Sequence, residues 1–185
     1  GCSVIETCHL PDDAEITSTK ISEVLQGECD LLVTVGGVSA GKRDFFPEAF
    51  SNAGVENVVK GANIQPGKPI IVGAHTSGLV LGLPGNPVSA LACSVLFGWP
   101  ITRGLLGCST ELPWQTLPLA HSIQSNPSRT AFRPAKQCDG SLYIPTWQGS
   151  GDAAHTIDTN GLAQLPPSTN TYEQERQVMF LPFPW

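Results

Sequence analysis

Apolar and polar positions follow two textures along this chain. Up to Gly107 the apolar residues come in long blocks; beyond it they come in short runs broken by proline. Ile16, Ile21, Val24 and Leu25 fall close to helical spacing, which predicts an amphipathic helix over Ala14 to Gln26. Asp12 or Asp13 can cap its start, and Gly27 can end it. Ahead of the helix, Ser3 to Thr7 reads as a strand that starts almost at the first residue. Asp30 to Val35 is continuous and β-branched, the pattern of a central strand buried on both faces of a parallel sheet. A short helix near Pro47 to Ala53 and a strand over Val55 to Val59 follow. Gln65-Pro66-Gly67-Lys68-Pro69 is a stiff loop. Ile70 to Ala74 and Leu79 to Leu83, separated by His75-Thr76-Ser77-Gly78, suit a hairpin, and a long apolar segment from Val88 to Leu106 suits a helix.

This order of elements predicts a three-layer α/β domain, in which ligands sit beyond the carboxyl ends of the strands. After Gly107 no helical period holds. Thr116 to Ile123, Thr130 to Lys136, Ser141 to Thr146, Gly161 to Leu165 and Arg176 to Leu181 are short strand-like runs, as in a small all-β barrel or sandwich. The expected division is an α/β domain over residues 1–108 and a β domain over 109–185, with the boundary near Cys108 to Leu112.

Composition narrows the chemistry. The 185 residues carry a net charge of −6 with only ten Lys and Arg, which argues against a broad nucleic-acid or membrane-surface partner. Gly98, Pro100 and Arg103 interrupt the longest apolar run, so no membrane span is expected. No signal peptide is visible. The six Cys form no CxxC pair and read as reduced thiols, and the four His fall in no metal-ligand pattern.

Two glycine turns follow two strands: Gly36 to Gly41, and Pro84-Gly85-Asn86-Pro87. Asn86 is a plausible N-cap and Pro87 fits the first helical position. The free N–H groups of such turns can cradle a phosphate, and two of them suggest one shared pocket for a phosphorylated ligand. Each alone reads equally as a plain strand-to-helix turn, and neither matches a Walker loop or a dinucleotide fingerprint. Asp44 beside such a site would repel a phosphate unless it holds a cation or orients a nucleophile; its structural alternative is a helix cap. Asp12 and Asp13 share that ambiguity. Lys68 is either an oxyanion ligand or a solvated lysine, and Gln148-Gly149-Ser150-Gly151 alone reads as a surface loop. Arg129 and Arg133, four apart in a strand-like run, share a face that either meets the anion pocket from the second half or faces solvent, the spacing alone slightly favouring solvent.

Taken together, Gly-Gly-Val-Ser-Ala-Gly with Asp44, Pro-Gly-Lys-Pro, and Leu-Pro-Gly-Asn-Pro-Val-Ser-Ala strongly resemble the molybdopterin molybdenumtransferases, the MoeA and gephyrin E-domain family. Arg129 with Phe132 and Arg133, and Gln-Gly-Ser-Gly at 148–151, extend the likeness into the second half. The resemblance implies a three-layer molybdopterin-binding domain of the MogA/MoaB kind, here lacking its first strand and helix, followed by a small β-barrel-like domain. It implies insertion of molybdate into adenylylated molybdopterin with release of AMP, Mg²⁺ as the metal, a cytoplasmic location, and a homodimer in the complete enzyme. By motif, Asp44 and Lys68 would be catalytic. Gly37, Ser39, Gly41, Pro84, Gly85, Asn86, Pro87, Ser89, Arg129 and Ser150 would line the substrate, and Asp12, Asp13 and Asp44 would serve the metal. Many members have Lys where Gln65 stands, which weakens molybdate binding by this loop. The upstream domains of the family are also missing, so the chain by itself is expected to be inactive or nearly so. The alternative is a non-catalytic molybdopterin-binding or scaffold fragment.

Overall fold

A helix forms over Ala14–Gln26 (α1) because both ends are capped. The Asp13 carboxylate accepts the Ile16 amide at 2.9 Å, and the Gly27 amide donates to the Val24 carbonyl at 3.1 Å. Thr17, Ile21 and Leu25 form its buried stripe. The computed structural model describes residues 1–38, 45–124, 126, 128–146, 149 and 151–185.

The first sheet contains β1 (Leu31–Val35), β2 (Glu56–Lys60), β4 (Ile71–His75) and β5 (Gly78–Leu83), in the order β1-β5-β4-β2. β1 runs parallel to β5, and β4 and β5 are the expected antiparallel hairpin. α1 and α2 (Phe46–Asn52) cover one face, where Ile21, Leu25, Phe50, Val55 and Val80 pack together. The other face, with Leu81 and Leu83, meets the helical run Pro87–Leu105.

That run is 19 residues long, and by length and composition it is apolar enough to cross a membrane. The sequence reading, which counted Gly98, Pro100 and Arg103 as interruptions, is corrected on this point. Packing accounts for part of its apolar character. Phe97 and Ile101 pack, partly buried, on the core of the first sheet, while Ala92 and Val95 pack on Leu162 and Leu181 of the second; the last part, Trp99–Leu105, has no buried residue. It divides into α3 (Pro87–Cys93), a π turn (Ser94–Gly98) and α4 (Trp99–Leu105). The Trp99 amide donates to the Ser94 carbonyl five residues back. This wider turn lets the helix continue through Pro100, which has no N–H to give.

Two expectations fail in the first half. Gly1 to Leu10 forms no strand. It lies on the surface, tied to α1 by the Lys20–Glu6 pair at 2.6 Å, with Val4 and Ile5 exposed. A strand pattern becomes a strand only beside a hydrogen-bonding neighbour, and no described strand pairs with it. β1 is also not buried on both faces. Among the described residues it pairs on one side only, and its Val33 and Val35 are 46% and 62% exposed.

The second half holds β6 (Gln115–Pro118), β7 (Thr130–Cys138), β8 (Ser141–Tyr143), β9 (Gly161–Leu165) and β10 (Gln177–Pro182). β7, β9, β10 and β6 pair in that order, and β8 pairs with β7. The ring closes where Leu119, just past β6, bridges to Leu142 of β8, and the Ala120 amide donates to the Leu142 carbonyl at 2.8 Å. Leu119, Leu142, Ile144, Leu165, Tyr172 and Phe180 fill the interior, so a small barrel-like domain follows the α/β half as expected. One strand was not legible. β3 (Ile64–Gln65) leaves the first half and pairs parallel to Thr130 and Ala131 of β7.

Candidate functional site

The two glycine turns meet. β1 and β5 are parallel neighbours with Val35 opposite Leu83, so both turns leave the same edge of the sheet. The Gly36 amide donates to the Leu83 carbonyl at 2.9 Å. A Cβ on Gly85 would sit 3.3 Å from the Gly36 Cα, so backbone packs on backbone here. Gly36 and Gly37 have φ of +87° and +62°, a region open mainly to glycine. A side chain at Gly37 would also strike the Phe46 ring at 2.7 Å. The turn is bare of side chains because its conformation disfavours them at both glycines and its space excludes one at Gly37.

Pro84 is buried, Gly85, Asn86 and Pro87 are exposed, and Ser89 is buried at the start of α3. Pro87 opens the helix as expected; Asn86 has the extended backbone of an N-cap, but its side chain makes no capping hydrogen bond. α3 therefore starts two residues past Gly85, which lies against Gly36; free amides at a helix start of this kind suit an anion.

The Lys68 loop lies at this end of the sheet too. β4 runs antiparallel to β5 with Ile71 opposite Gly82, which sets the residues just before Ile71 beside Leu83 and Pro84. Pro66 and Gly67 are buried, and the Lys68 side chain is exposed. The loop is fixed from two sides. The Ala62 amide donates to the Lys68 carbonyl at 2.9 Å, and the Cys93 thiol of α3 donates to the Gly67 carbonyl at 3.6 Å. Burial pushes the Cys93 thiol up to about 12, so it stays protonated and structural.

Arg129 reaches this loop from the second half. Its guanidinium donates to the Ile64 carbonyl at 3.5 Å. Asn126 supports it: its carbonyl oxygen accepts the Ser128 and Arg129 amides at 2.9 and 3.3 Å, while its NH₂ donates to Gln65 Oε1. This link between Gln65, Asn126 and Arg129 was missed in the sequence. Asn-Pro-Ser-Arg reads as a turn, and nothing in it names a partner 61 residues away. Arg133 departs from the solvent-facing reading. It is half-buried on the face of β7 that carries Ala131 and Ala135 inward, and burial pushes its guanidinium below the usual value.

α1 ends at Gln26 and the chain turns straight back into β1, so the start of α1, with Asp12 and Asp13, points toward the carboxyl end of β1. Asp12 is exposed, and one oxygen of Asp13 is engaged in the cap. Among the described residues no three acidic, His or Cys side chains cluster to hold a metal. Ser39, Gly41, Asp44 and Ser150 lie outside the described residues. Of the Gln148–Gly151 motif, Gly149 (φ +133°) and Gly151 are described, and a tight turn follows, with the Asp152 amide on the Gly149 carbonyl at 3.0 Å.

Known proteins resemble this chain in sequence and fold. The chain is 31% identical over 172 residues to the molybdopterin molybdenumtransferase of Synechococcus elongatus, spanning 90% of this chain and 41% of that protein. It is 33% identical over 177 residues to the molybdenum cofactor synthesis protein cinnamon of Drosophila melanogaster, covering 92% of this chain and 29% of that one. A molybdopterin biosynthesis MoeA protein from Pyrococcus horikosii superposes with a TM-score of 0.75 at 28% identity, over 92% of this chain and 41% of that structure. The chain thus spans less than half the length of these relatives. Residues 1–104 match the family described as a probable molybdopterin binding domain, and the chain belongs to that family.

Proposed function

We propose that this chain forms the molybdopterin-handling part of an enzyme that inserts molybdate into adenylylated molybdopterin and releases AMP. The observation that carries this reading is the meeting of Gly36 with Gly85 at the shared end of two parallel strands, beside the first turn of α3. Backbone amides there would bind the phosphate of the pterin. Ser39, Gly41 and Ser89 would complete the lining, and Lys68, Arg129 and Ser150 would hold the anionic ligand or the incoming molybdate. Cations placed this way offset the negative charge that grows on the bridging oxygen as a phosphoanhydride breaks.

Mg²⁺ suits the donors available. Asp12 and the second oxygen of Asp13 would offer hard carboxylate ligands, and Asp44 would join them. When bound, the ion would neutralise phosphate charge. The Gln65 amide, engaged by Asn126, orients the loop where a lysine would add charge, and Lys68 is left as the loop's cation. A homodimer of the complete enzyme and a cytoplasmic location accompany the reading.

Calorimetric titration of molybdopterin and of its adenylylated form into the folded chain, with and without Mg²⁺, tests it. Binding that strengthens with Mg²⁺ and loses that dependence in Asp44→Ala supports the catalytic reading. Binding indifferent to Mg²⁺ and to Asp44→Ala favours a binding or scaffold role instead. No binding by a folded chain rejects the pocket as a self-sufficient site.

A further inference from the structure

An amide side chain has a donor end and an acceptor end, and at Asn126 the backbone decides which way round it lies. The Ser128 and Arg129 amides can only donate, and both point at Asn126 Oδ1, at 2.9 and 3.3 Å. The Ser128 hydroxyl adds a third bond to that oxygen at 2.9 Å. The Asn126 NH₂ therefore faces the other way, onto Gln65, and the atom of Gln65 that meets it has to be the acceptor Oε1. The Gln65 NH₂, on the same carbon, is turned away from Asn126. Asn126 is itself anchored, because its backbone carbonyl accepts the Ser168 amide, just past β9, at 3.1 Å.

Gln65 lies inside the turn that the Ala62 amide closes on the Lys68 carbonyl, and Ile64 of that turn takes the Arg129 guanidinium. β3 meets β7 over two residue pairs, Ile64 with Thr130 and Gln65 with Ala131. One side chain of the barrel half thus holds both the backbone of Arg129 and the loop that carries Lys68. We infer that Asn126 is a positioning residue for oxyanion binding. It acts through Arg129, whose backbone it fixes, and through Gln65, whose NH₂ it orients as an uncharged donor in the Lys68 loop. This rests on the reading proposed above, in which Lys68 and Arg129 hold the anionic ligand. A tetrahedral oxyanion gains from N–H groups that are already aimed and need no reorganisation when it binds.

The test is a titration of molybdate alone into the isotope-labelled chain, followed by NMR, with circular dichroism to check the fold of each variant. Molybdate is expected to shift the side-chain NH₂ signals of Gln65, which are identified by their loss in Gln65→Ala. Asn126→Ala is expected to weaken binding about tenfold, the size of a charge-assisted hydrogen bond lost from its place, and to abolish the Gln65 shift. Asn126→Asp guards against loss of the turn, because a carboxylate still accepts both amides. Its second oxygen then faces Oε1, so Gln65 turns over to donate to it, and its NH₂ no longer responds to molybdate. Full affinity with an unchanged Gln65 shift in both variants overturns the inference. So does binding that leaves Gln65 unmoved in the unsubstituted chain. No molybdate binding by the folded, unsubstituted chain rejects the anion site itself, and the inference with it.

Discussion

The α/β half and the barrel half solve the same burial problem in opposite ways. The barrel wraps a ring of strands around one cluster and closes it at the Leu119–Leu142 bridge. The α/β half splits its core between two sheet faces, and among the described residues β1 pairs on one side only and borders a cavity beside Trp99. A closed ring has little room to relax when an interior side chain is removed; an open sheet has more. The candidate site sits on the open half, at strand ends lined by glycines that contribute almost nothing to the core. The barrel contributes mainly a scaffold that brings Arg129 to Ile64.

Equivalent truncations in the two cores put that contrast to the test. Phe180→Ala in the barrel and Phe50→Ala on the inner face of α2 each remove a fully buried ring. Chemical denaturation is expected to show losses of about 4 and 3 kcal/mol respectively. Equal losses would mean that closure of the ring confers no rigidity.

Alkali probes the contact between the helix and the Lys68 loop. A thiol raised to about 12 in the folded chain keeps its proton where the unfolded thiol, near 9.0, has lost it. The native state then binds more protons than the unfolded one, so stability falls as pH rises from about 9 toward 12. At pH 10.5 the loss is about 2 kcal/mol relative to pH 8. Cys93→Ala is expected to flatten that part of a pH series of thermal melts, and an unchanged slope would place the alkaline loss elsewhere.

Smaller effects belong to the turns. Gly36→Ala forces a side chain into the left-handed region at φ +87° and is expected to cost about 1 kcal/mol, while weakening pterin binding more than stability suggests. Asp13→Ala removes the α1 cap at a similar cost of about 1 kcal/mol, read from thermal melting. Val35→Ala, on β1, is expected to change stability by less than about 0.5 kcal/mol. A larger effect would show that β1 is more covered than its exposure indicates.

Much of this was legible in the sequence, for physical reasons that also mark its limits. α1 carried a cap, a period and a stop in one stretch, and each of these signals is local. The glycine turns were legible because glycine where φ is positive leaves a gap in the side-chain pattern. Edge and centre were not distinguishable for β1: a β-branched run reports apolar character, and burial depends on which neighbours arrive. Ser3 to Thr7 shows the same limit from the other direction, a short apolar-polar stretch without a partner among the described strands. β3 spans only two residues, too few for any period, and its partner lies beyond the helix. Within the candidate site, the residue types were readable, whereas the Gln65–Asn126–Arg129 link was not.

That two-residue strand has a consequence for how the chain unfolds. Ile64 and Gln65 belong to the first half in sequence but take their ladder from the second. Together with the helix wedged between the sheets, they leave no seam along which one half could melt while the other stayed intact. Heating should therefore give one calorimetric peak whose van't Hoff and calorimetric enthalpies agree. On the ribosome, residues 64–65 must wait for residues 130–131 to emerge before the pairing can form.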